Sequence, residues 1–164
     1  MNKPIFLTAF LLTFILLFSA CGKTESTITT TEHQETVTSS EEEIRDEKMI
    51  INIKINNSVF TATLEDNEAA KEFYEMVKSG SVIIEMSDYS GFEKVGPLGK
   101  NLTSDDKQTK TKKGDIVLYN GNQIVMFYGS NSWSYTRLGK IDDLNGWETA
   151  LGSGDITAEF TVKQ

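Results

Sequence analysis

The chain has 164 residues, of which 38% are hydrophobic and 24% charged, a mixture that fits one globular domain. It carries one cysteine and one histidine, both outside its best-patterned part, so the parts for an internal disulfide, a Cys/His zinc site, a Ser-His-Asp triad or a Cys-His dyad are missing. The net charge of −8 argues against nucleic acid as a partner, because phosphate binding needs a basic surface.

Residues 1–20 read as an address. Lys3 and the α-amino group give a positive start, and residues 5–18 form an apolar run broken only by Thr8 and Thr13. That length fits a signal-peptide core of about 7–15 residues and falls short of the roughly 20 that span a bilayer. Leu17-Phe18-Ser19-Ala20-Cys21-Gly22 follows. It resembles a bacterial lipoprotein box, with Phe18 where the pattern usually has Leu. The resemblance implies that Cys21 is lipidated and becomes the mature N-terminus. The protein would then be anchored on the extracytoplasmic side of a bacterial envelope membrane. Two acyl chains, at about 0.8 kcal/mol per buried methylene, anchor stably where a single chain is marginal.

Residues 22–48 are dominated by Thr, Ser and Glu, with eight acidic and three basic residues and no aromatic. Such a segment buries too little apolar surface to offset the entropy of ordering it. It reads as a disordered, self-repelling tether with a typical reach of about 30 Å. His33 falls here, which leaves it no catalytic or metal role.

Residues 49–164 form the expected domain, with 16 acidic and 12 basic residues. Residues 51–55 alternate with period two, Asn56-Asn57 makes a turn, and residues 59–64 form a second strand, giving a hairpin. A principal helix is predicted over residues 66–79. Asp66 or Asn67 caps it, Ala69, Ala70, Phe73, Met76 and Val77 form its apolar face, and Gly80 ends it. Residues 81–86 are strand-like. Residues 88–114 read as loop-rich, with Gly91, Gly96, Pro97 and Gly99 and then a hydrophilic run, and with Lys107, Lys110, Lys112 and Lys113 on a solvated loop or an anion patch. Asn120-Gly121 between two apolar runs is a strong hairpin signal, because it supplies two positive φ angles. Residues 133–141 form a further strand, residues 142–151 a short second helix weakened by Gly146, and residues 155–162 the last strand. Six or seven short strands and one good helix predict a mainly β fold, a small barrel or sandwich.

Three stretches carry a family resemblance: residues 86–94, residues 114–119, and residues 127–141 with their Trp133-Ser134-Tyr135-Thr136-Arg137-Leu138-Gly139 segment. They resemble the bacterial cyclophilin-like domain family, and the likeness runs across nearly all of residues 49–164. The resemblance implies a closed β-barrel of about eight strands with a helix packed at an open end. It implies little about activity. The segment of true cyclophilins that carries the isomerase arginine and a Phe-Met-x-Gln-Gly-Gly run has no match in this chain. Arg45 and Arg137 are the two arginines, and Arg137 comes later than that segment would.

Phe92, Phe127, Trp133 and Tyr135 read either as barrel filling or as pocket lining, with Tyr89 and Tyr119 as polar contributors. Arg137, the single arginine of the domain, either binds a carboxylate ligand or pairs with Asp88 or Asp115. The leading expectation is a non-catalytic binding module. Its ligand-binding set is Tyr89, Phe92, Phe127, Trp133 and Arg137, its ligand is a peptide segment or small molecule, and it needs no metal or cofactor. The alternative is a surface prolyl isomerase or other enzyme using Arg137.

Overall fold

The computed structural model describes residues 48–164. The signal segment, Cys21, His33 and all of the tether but Lys48 lie outside the described residues. Nine strands and two helices follow one another. They are β1 (Ile50–Ile55), β2 (Ser58–Leu64), α1 (Glu68–Lys78), β3 (Val82–Tyr89), β4 (Glu93–Pro97), β5 (Lys107–Lys110), β6 (Asp115–Tyr119), β7 (Gln123–Phe127), β8 (Ser132–Ile141), α2 (Trp147–Leu151) and β9 (Ile156–Val162).

Eight strands close into an antiparallel barrel in the order β2-β1-β9-β3-β4-β7-β6-β8, and β8 returns to β2. The ninth strand, β5, pairs only with the first half of β8, Lys107 opposite Tyr135 and Lys110 opposite Ser132. Closure depends on Gly139. It stands opposite Leu64 at the β2–β8 seam, where a Cβ would lie 2.6 Å from the Thr63 carbonyl oxygen and 2.9 Å from Leu64 Cα. Closing the sheet removes the free edges of the eight barrel strands, and the short, all-polar β5 is left with one.

The alternation of β1 buries Ile51, Ile53 and Ile55 inside the barrel. The helix α1 lays Ala69, Ala70, Phe73 and Val77 on this core, with the Phe73 and Phe160 rings edge to face at 5.6 Å. Asn67 starts it: its side-chain oxygen accepts from the Ala70 N–H at 2.9 Å, and its side-chain nitrogen donates to the Arg137 carbonyl at 2.8 Å. The helix closes at Ser79, whose N–H donates to Glu75 O. Asn120 and Gly121 take φ of 50° and 71°, and Ser90-Gly91 repeat that conformation, at 52° and 72°, between β3 and β4.

Two expectations are corrected. The loop-rich stretch 88–114 holds two strands that its sequence does not announce, β4 and β5, and β3 runs on to Tyr89. In β4, Glu93, Lys94, Gly96 and Pro97 hide the apolar alternation. Gly96 is needed because a Cβ would meet Ile84 Cγ2 at 2.5 Å and Glu85 O at 2.7 Å. In β5 every side chain is polar. The second helix covers only Trp147–Leu151, since Asp143 accepts from the Asn145 N–H and Gly146 sits at φ 78°.

Candidate ligand groove on the outer barrel face

The strands β6 and β7 are buried on both faces. Ile116, Leu118, Ile124 and Met126 point into the barrel core, while Val117, Val125 and Phe127 alternate outward and join Tyr135 in a second, separate apolar cluster. Phe92, Val95 and Tyr119 pack against that cluster from outside. Rings hold it together, Phe127 to Tyr135 at 5.7 Å and Tyr119 to Tyr135 at 6.0 Å.

A groove of about 340 Å³ opens over this cluster, within the usual range for ligand sites of about 300–1,000 Å³. Val95 and Val125 form its apolar base, and Tyr89, Tyr119, Trp133 and Tyr135 line it. Tyr89 and Trp133 are 58% and 57% exposed, although both are large aromatics. The Asn131 side chain is fixed at the rim, donating to Tyr135 Oη at 3.0 Å and accepting from the Ser132 N–H at 2.7 Å.

Glu93 is the one charged residue that lines the groove. It is 5% exposed, and its Oε2 is buried with no hydrogen-bond partner among the described residues. Burial pushes its carboxyl up from an ordinary 4.5 to about 7. An unsatisfied buried carboxyl costs folding energy, so its presence against an open groove is a functional signal. Tyr135 shares this environment: burial, then the Glu93 charge, raises its hydroxyl.

The next residue, Lys94, points to the other side of the wall and is fully buried. Its Nζ donates to Asp88 Oδ1 at 2.6 Å, to Gly154 O at 2.6 Å and to Gly152 O at 3.1 Å, so every proton has an acceptor. It also lies 5.2 Å from the Tyr128 ring centroid. The Lys94 hydrogen bond, then the one donated by Tyr128, holds Asp88 below the ordinary carboxylate range. Burial, then that bond to Asp88, pushes Tyr128 up to about 12. This network pins the loop before β9 to β3 and β4.

The expected site residues divide. Tyr89 and Trp133 line the groove, Phe92 packs beside Tyr89 with ring centroids 6.3 Å apart, and Phe127 is sealed beneath, fully buried. Arg137 is not among the groove's lining residues. Its guanidinium donates to Asp115 Oδ2 at 3.3 Å, and it lines a second cleft with Glu65, Glu68 and Lys107. Asp88 is taken by Lys94 instead. The Lys-rich stretch is partly paired, Lys107 with Asp105 and Lys113 with Glu148. Sequence reading missed Glu93. The available signal was its spacing, since Glu93 and Val95 share a face. Among the described residues no cluster of three or more His, Cys, Asp or Glu is placed to hold a metal ion, and no helix is long and apolar enough to cross a membrane.

A model of the cyclophilin-like family matches residues 53–162. Among solved structures, the hypothetical protein AF2241 from Archaeoglobus fulgidus has the same fold, with a TM-score of 0.50 and 13% identity over 71% of this chain and 95% of that one. No curated protein matches the chain.

Proposed function

The chain belongs to the cyclophilin-like family, and from that premise we propose that it is a ligand-capturing module of a bacterial cell envelope. A lipid on Cys21 holds it to the extracytoplasmic side of the membrane. The segment 22–48 is the tether that lets the domain search the space above the bilayer. The groove around Glu93 takes the ligand, an extended peptide segment or a small molecule. The observation that carries this reading is the Glu93 carboxyl, whose buried Oε2 has no partner among the described residues, in one groove with exposed Tyr89 and Trp133. A wall with only structural duties gains nothing from a buried acid and two exposed rings at one place. Arg137 has Asp115 as its partner, and the chain lacks the isomerase segment, which favours capture over catalysis.

Trp133 reports on the groove. Ligand binding to the chain 22–164, which contains the whole described barrel, is expected to change its emission. Trp147 is fully buried and serves as an internal constant. Screening short peptides and drug-sized molecules by tryptophan emission should give hits that Trp133→Phe silences. Hits that bind equally well and report unchanged in Trp133→Phe would place the ligand elsewhere.

A further inference from the structure

Resting on that groove reading, we propose that the ligand presents an organic cation, an ammonium or a guanidinium, to Glu93, while Tyr89, Tyr119 and Trp133 receive the carbon skeleton beside it.

Four observations converge. Glu93 lines an open groove, and its Oε2 is buried at the wall with no donor among the described residues. Lysine and arginine are absent from the lining, so the groove offers a negative charge with no partner of its own. Three cations, of β4, β5 and β8, have acceptors of their own: Lys94 is turned through the wall to Asp88, Lys107 pairs with Asp105, and Arg137 pairs with Asp115. Four aromatic side chains line the groove with the acid, and ring faces attract cations by about 0.5–2 kcal/mol each when well placed. A carboxylate beside several rings is selective for organic cations. A hydrated metal ion wants more oxygen ligands, whereas an alkylammonium gains from ion pair and rings together.

The groups that face Glu93 are Tyr89 from β3, Tyr119 from β6 and Tyr135 from β8, with the neutral Asn131 at the rim. Tyr128 also feels its charge. Glu93 is thus the lining residue that ionises near neutrality. A cation that binds below that pH drives the Glu93 proton into solvent. A ligand that merely accepts a hydrogen bond from protonated Glu93 has the opposite pH dependence, because it needs the proton to stay.

The test uses three probes of one shape on the chain 22–164: phenethylammonium, phenethyl alcohol and phenylacetate. Binding is followed by backbone amide NMR shifts of the groove residues at pH 5.5 and pH 8.0. Phenethylammonium should bind more tightly at pH 8.0, by up to about thirtyfold if only the ionised form of Glu93 accepts it. Glu93→Gln should remove that pH dependence. Calorimetry of the unaltered chain in two buffers of different ionisation enthalpy should read proton release on binding, without relying on any variant. A second arm compares a blocked Gly-Lys-Gly peptide with its norleucine counterpart. A preference for the lysine peptide over phenethylammonium assigns the cation to a protein segment, and the reverse assigns it to a free amine. Equal binding of alcohol and ammonium, or tighter binding of either at pH 5.5, overturns the cation and keeps the groove. No groove shifts with any probe overturns both.

Discussion

Glu93 and Lys94 are adjacent in β4, carry opposite charges, and never meet. Strand alternation sends the ammonium through the wall to Asp88 at 2.6 Å and leaves the carboxyl on the outer face, its Oε2 without a partner among the described residues. One side of the strand is a satisfied structural lock and the other an unsatisfied site. The two halves respond oppositely to mutation.

Replacing Glu93 should stabilise the domain above neutrality. The folded state holds the Glu93 proton to about pH 7, and the ordinary value is 4.5. Between those values the native state binds more protons than the unfolded one, so unfolding free energy falls as pH rises and levels off above 7. The full difference is about 3 kcal/mol. Glu93→Gln is neutral at every pH. Urea unfolding should find it more stable than the parent at pH 8 and similar near pH 4.5. Parallel curves across that range would show that Glu93 titrates normally.

Replacing Lys94 should do the reverse. Lys94→Ala leaves Gly152 and Gly154 carbonyls and Asp88 without their donor and opens a cavity, a loss of about 3 kcal/mol or more. Lys94→Met keeps the aliphatic stem and should cost less. The native Asp88 carboxyl is held low, so the stability it contributes is present above its ordinary value and is lost as pH falls. The penalty of Lys94→Met should therefore be largest near neutrality and shrink in acid. Denaturant melts at pH 7 and pH 3 check this.

Gly139→Ala tests barrel closure. The added Cβ meets Thr63 O and Leu64 Cα, both backbone atoms of β2 that have no room to turn aside. A loss of about 1–3 kcal/mol is expected, as for overpacked sites. Amide exchange should quicken along the β2–β8 seam first. Uniform quickening throughout the barrel would show that the seam is not its weak line.

The anchor is tested separately. Cys21→Ser should move the protein from the membrane fraction to the soluble fraction or the medium of a bacterial host, and metabolic labelling with a fatty-acid analogue should mark only the parent. Retention of the variant in the membrane would contradict the lipid anchor.

Local signals in the chain reach only part of this fold. β1 and β2 show clean alternation, α1 shows its cap and face, and Asn120-Gly121 marks its turn, because each depends on neighbours in sequence. β4 and β5 carry no such pattern. β4 is stabilised by β3 and β7, and β5 by β8, so their strand character comes from partners distant in the chain. The groove was half legible. Tyr89 and Trp133 stand out as aromatics, but a lone glutamate in a strand looks like an ordinary surface residue until its register places it beside Val95 and Val125. The partner of Arg137 was likewise a matter of register, since pairing Val117 with Arg137 brings Asp115 within reach and leaves Asp88 to Lys94.

The most direct test is the titration of the Glu93 side-chain carboxyl by carbon-detected NMR, with and without phenethylammonium. A midpoint near 7 in the free protein that moves down when the ammonium is added is the predicted result. A midpoint near the ordinary 4.5 that the ammonium leaves unmoved would contradict it.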